Sequence, residues 1–151
     1  MGALAEHGPA AVEHLGTEVE PAAAIYAVEA DALLCGSKVG AIDHDVAASI
    51  TAKVIVPTAP VPVTAKALAA LRRSGTVVLP DFISIAGPQF ALFAEDGATV
   101  DAVDAEVAHN VRGALELVLE HDEGPVLGAC YLAEDFLRTW QSTLPFGRPL
   151  A

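Results

Sequence analysis

Ala52-Lys53-Val54-Ile55-Val56-Pro57 is the stretch that decides the fold. Three β-branched residues stand in a row with no polar alternation. A strand with one wet face alternates, so this run suits a parallel strand covered on both faces. Downstream, Thr64 is placed to cap a helix over Ala65 to Arg73, with Leu68 and Leu71 on one face and Gly75 as its stop. Thr76-Val77-Val78-Leu79-Pro80 gives a further apolar strand. Upstream, Asp31-Ala32-Leu33-Leu34-Cys35-Gly36 gives another, and Asp43 caps a short helix reaching Ile50. The resulting order, β-α-β-α-β, predicts an α/β fold with a parallel sheet and helical crossovers.

The flanks read as helix. Leu4, Ala11, Val12 and Leu15 fall at helical spacing before Gly16, residues 17–20 suit a short strand, and Pro21 opens a short helix through Ala24, Ile25 and Val28. Beyond the core, Val107, Val111, Leu115, Val118 and Leu119 form the apolar face of a helix from Val103 to Glu120. A last helix is expected from Val126 to Gln141. One domain accommodates all of this. Residues 1–29 are an N-terminal helix and lead-in, 30–82 the core, 83–102 a loop with an acidic stretch, 103–142 the C-terminal helices, and 143–151 a loose tail.

Hydrophobic residues make up 53% of the 151 and charged residues 19%, an apolar balance that implies surface buried against a partner. Twenty acidic residues against eight basic ones give a formal charge of −12, which repels a phosphate backbone, so nucleic acid is excluded as a partner. No apolar run approaches the ~18 residues a membrane-spanning helix needs. The first residues lack a basic segment and an apolar core, so no signal peptide is expected. Cys35 and Cys130 lack metal-ligand spacing and read as reduced, buried thiols of a cytoplasmic protein. His7 and His14 sit a helical heptad apart beside Glu6 and Glu13, a polar stripe rather than a metal site. His109 and His121 read as surface residues, and no metal is expected.

Several blocks in order resemble the C-terminal half of the nucleotide-binding domain of the glutamate/leucine/phenylalanine/valine dehydrogenase family. Ala30-Asp31-Ala32-Leu33-Leu34 is similar to the family strand C/A-D-V-L-I/V-P-A-A, and Ala52 to Val56 to its A-K-I/V-V-V strand. Val61-Pro62-Val63-Thr64 resembles G-P-T-T. Leu71 to Phe82 resembles L-x-x-R-G-V-L-V-V-P-D-F/L, and Ala86-Gly87 falls on the end of N-A-G. Leu132-Ala133-Glu134-Asp135-Phe136-Leu137 is similar to the helix that packs back on that domain. The resemblance implies a truncated, half-Rossmann-like parallel sheet of about three to four strands, with C-terminal helices packed on it.

The departures bear on function. The fingerprint G-x-G-x-x-G/A, whose glycines let backbone amides reach a pyrophosphate, has no counterpart. The resemblance starts after the first three strands of the parent fold, and the substrate domain with its catalytic lysine and aspartate is not matched. The family asparagines of E-G-A-N and N-A-G-G fall on Pro60 and Ile85, which carry no amide to bond a nicotinamide or its ribose.

Asp81 follows a strand C-terminus, where open α/β sheets bind ligands, and is a candidate acid/base or polar anchor as well as a structural cap. His44, between Asp43 and Asp45, is a weaker candidate, because helix neighbours point apart and capping explains the aspartates. Thr58, Pro60, Thr64, Ser84, Ile85 and Gln89 are expected to line a small pocket over the strand ends, with apolar walls from Ala59, Ile83, Phe90 and Phe93. Ser84 lacks a nucleophile-elbow context, and Lys38 near the rim reads as a surface lysine.

The sequence therefore reads as a truncated relative of the amino-acid dehydrogenases that is not a self-sufficient dehydrogenase. It requires no cofactor, and NAD(P) enters only if a partner chain supplies the glycine-rich turn. The alternatives are a repurposed lyase, cyclase or isomerase using the strand-end pocket on a small apolar ligand, and a non-catalytic partner subunit. A bare edge on the strand at 31–36 invites pairing, so residues 17–20 or a second copy should cover it. A homodimer or a complementary dehydrogenase-like chain is the expected partner.

Overall fold

β2 (Val54–Pro57) is the centre of a three-stranded parallel sheet, flanked by β1 (Ala32–Cys35) and β3 (Val77–Val78) in the order β1-β2-β3. The structure is a computed structural model that describes residues 24–141. The register pairs Leu33 with Ile55 and Leu34 with Val56 on one side, and Val54 with Val77 on the other. The sheet and its parallel sense are those expected from the apolar runs. The third strand is shorter than the sequence suggests: its ladder stops at Val78, and Pro80 beyond it has no N–H to donate.

Between the strands lie α1 (His44–Ala47) and α2 (Ala65–Ser74). Their ends are set by the residues that the sequence marks. Asp43 accepts the amides of Asp45 and Val46 through its carboxylate, Thr64 Oγ1 accepts from Ala67 N, and Gly75 closes α2 in the left-handed region. These two helices cover one sheet face. Ile55 and Leu71 meet there with no exposed surface, beside Cys35, Ile42, Ala47, Ala67 and Val78. Truncating Leu71 to Ala would leave a cavity worth ~2–5 kcal/mol.

The chain then forms α3 (Asp81–Ser84), α4 (Gly87–Ala91), α5 (Val100–Glu116) and α6 (Pro125–Arg138). The stretch read as a loop over 83–102 thus contains α4, which opens with Pro88 in its first turn, and α5 starts three residues ahead of Val103. α3 touches β2, α5 packs on α3 and α4, and α6 touches β3. On this second face Val54 and Val56 are half-buried, while Leu34 is 68% exposed. Just before β1, a 3-10 turn at Ile25–Ala27 holds Tyr26, whose hydroxyl donates to Ala41 O. The expected helix at 2–15, the strand at 17–20 and the tail from 143 lie outside the described residues.

Candidate functional site

The loop after β2 occupies the C-terminal end of the sheet. Thr58 N donates to Cys35 O at 2.9 Å, Gly40 N to Val61 O at 2.8 Å, and Ile42 N to Pro62 O at 2.8 Å. These bonds stitch the loop to the segment after β1. Gly36 permits the approach: a Cβ there would meet the Thr58 side chain and, at 2.9 Å, its carbonyl carbon. Val61, between two prolines, has a φ of 49°. Asp81 explains how that geometry is held. Its Oδ2 accepts the Val61 N–H at 2.7 Å. The carboxylate at the mouth of β3 therefore anchors backbone.

The other expected site residues are placed around this loop or beside it. Thr64 caps α2. Ser84 donates its hydroxyl to Pro80 O at 3.0 Å. The Gln89 amide nitrogen, oriented to satisfy both groups, donates to Ile85 O and Ala86 O. Ile85 is half-buried, and Thr58 and Pro60 are exposed, as is His44 on the outside of α1. Asp81 and the Thr58–Thr64 loop are brought together, whereas His44 stands apart on α1. Among the described residues no group of three or more His, Cys, Asp or Glu side chains is arranged to hold a metal ion, and no helix is long and apolar enough to cross a membrane.

Two features escape sequence reading. Glu134, on α6, is buried. Arg138 Nη2 donates to its Oε2 at 3.3 Å, while Oε1 has no hydrogen-bond partner. Beside it, burial, together with Glu134 and Asp81, pushes the Cys130 thiol above its ordinary range. The i,i+4 spacing of Glu134 and Arg138 is legible, but the burial of Glu134 is not. Secondly, His121 is half-buried rather than a surface residue. Its ring lies 5.4 Å from that of Tyr131, and Gly128 leaves room for it. His121 borders a cavity of about 550 Å³ between α2, β3 and the turn into α6. A second cavity, about 170 Å³, lies by Tyr26 and Leu33. None of the residues expected to line a strand-end pocket lines these two.

This arrangement of sheet, strand-end loop and trailing helices recurs in solved structures. L-tryptophan dehydrogenase from Nostoc punctiforme superposes with a TM-score of 0.69 at 19% identity, over 86% of this chain and 40% of that one. A hetero-hexameric glutamate dehydrogenase from Thermus thermophilus in a Leu-bound form gives 0.65 at 23% identity, over 91% of this chain and 36% of its own. The chain has the fold of part of an amino-acid dehydrogenase. It spans about two fifths of the length of those proteins. No family profile matches the sequence. No curated protein matches it either. Within this dehydrogenase-like fold, the Asp81–Val61 bond joins the P-D pair after β3 to the loop after β2, two of the blocks that carry the sequence resemblance.

Proposed function

We propose that this chain is a dehydrogenase-like subunit that does not oxidise amino acids by itself and acts with another polypeptide. The observation that carries this reading is the state of the strand-end loop. Asp81, Ser84 and Gln89 all bond to backbone, so the polar side chains at the usual ligand position stabilise the loop. Pro60 and Ile85 stand where the resemblance places asparagines and offer no amide. The 151 residues contain no G-x-G-x-x-G turn, so the pyrophosphate of NAD(P) would need amides from a partner chain. Alone, the chain needs no cofactor.

The partner is a second copy or a complementary dehydrogenase-like chain. The Thermus protein of this fold is hetero-hexameric, which supports assembly from unlike chains. The free thiols Cys35 and Cys130 support a reducing, cytoplasmic setting.

Calorimetry with NAD+ and NADP+ tests the reading. The purified chain should give no binding heat at ~1 mM cofactor, where a Kd of that size corresponds to about −4 kcal/mol. Micromolar binding by the chain alone would overturn it. Substitution at Asp81 separates anchor from acid/base. Asp81→Ala should cost ~1–2 kcal/mol of stability, because it leaves the Val61 N–H without its charged acceptor. Asp81→Asn, which keeps an oxygen acceptor, should recover most of that loss.

A further inference from the structure

The cavity between α2, β3 and the turn into α6 shares no lining residue with the strand-end loop, and nothing proposed for that loop depends on it. We propose that it binds a small apolar molecule carrying a single carboxylate. Its volume, about 550 Å³, falls in the ~300–1,000 Å³ range of small-molecule sites. Leu68 of α2, Val77 of β3 and Leu127 of α6 give it apolar walls, and Leu119 at its rim is 43% exposed.

One end of the cavity is rich in donors. Arg72 Nη2 donates to Asp122 O at 3.0 Å, which fixes the guanidinium fork and leaves its remaining N–H groups for a ligand. α6 opens at Gly124 with no side-chain cap, and Pro125 has no N–H. The amides of Val126 and Leu127 therefore start the helix without intrahelical acceptors, where its dipole favours negative charge. His121 Nδ1 accepts the Glu123 N–H at 3.1 Å, so the neutral ring carries its proton on Nε2 and is a donor there. The anion is limited to one charge. Asp122 and Glu123 line the same cavity, and the whole chain carries −12, so a phosphate dianion meets about twice the repulsion that a singly charged carboxylate does.

The test is a ¹H–¹⁵N titration of the full chain with 4-methylpentanoate and phenylacetate, using their primary amides as uncharged controls. Saturable shifts are expected at the Gly124, Val126 and Leu127 amides, with the primary amides binding at least about tenfold more weakly. Arg72→Gln, at an exposed helix end, should weaken carboxylate binding by about tenfold and leave the rest of the spectrum in place. Leu68→Trp, which fills the cavity, should abolish the shifts. The proposal is overturned if no saturable shift occurs by about 10 mM, if the primary amides bind as tightly as the acids, or if Arg72→Gln binds unchanged.

Discussion

Val61 holds a backbone conformation that its side chain opposes. A β-branched residue at a φ of 49° is an outlier that costs ~1–3 kcal/mol, and it persists here because Asp81 takes its N–H and Gly40 donates to its carbonyl. The resembling family motif has glycine at this position. Val61→Gly should therefore raise stability by ~1 kcal/mol, after ~0.5–1 kcal/mol is lost to the added freedom of the unfolded chain. A urea midpoint that rises at constant m would show it. Because the side chain is 54% exposed, little packing is lost. Cys130 poses a second question at this scale. Burial first, then the carboxylates of Glu134 and Asp81, raise its pKa from the ordinary 9.0. Burial raises Cys35 and Tyr26 likewise. Each group prefers to stay protonated in the folded chain. Their contribution is intact below the unfolded pKa and declines as pH rises through the folded one. Denaturation at pH 7, 9 and 10 should show stability falling above pH 9, and Cys130→Ala should flatten the fall.

The element that governs the site is the loop between β2 and α2, and its closest constraint is Gly36. Gly36→Ala should destabilise by ~2 kcal/mol or more, because the new methyl meets the Thr58 side chain and backbone together. Adding Thr58→Ala should restore part of the loss, as read by thermal midpoint. Full restoration would place all the conflict in the side chain. The elements themselves were largely legible. A short apolar run marked β1 and a β-branched one β2, and Asp43, Thr64 and Gly75 marked helix ends, because strands and caps are local signals. The site was less so. Asp81 and its partner Val61 stand twenty residues apart, and only the fold joins them. Glu134 reads as a solvated helix residue until its neighbours are known. The cavity combines residues from Ala65 to Val78 with others from Leu119 to Leu127, and no periodicity links them. α4 was missed because so short a helix carries little pattern, although Pro88 was a start signal.

For the whole molecule, the question is what its exposed apolar surface is for. Leu132, Phe136 and Trp140 follow one another at intervals of four along α6 and just past its end, 46%, 66% and 66% exposed. On the sheet, Leu34 faces outward from β1, whose ladder partner among the described residues is β2. Large exposed aromatics clustered on one surface mark contact sites, and aromatic anchors commonly dominate such contacts. Light scattering at micromolar concentration should accordingly give a mass above the 15.5 kDa of one chain. Phe136→Ser combined with Trp140→Ser should weaken association by at least about tenfold. Since both side chains already stand largely in solvent, their loss removes little folding energy, and the thermal midpoint of the dissociated chain should barely move. A large fall in that midpoint would instead assign the stripe to the chain's own core, and a wild-type mass of one chain at about 100 µM would remove self-association from the account, leaving an unlike chain as the partner.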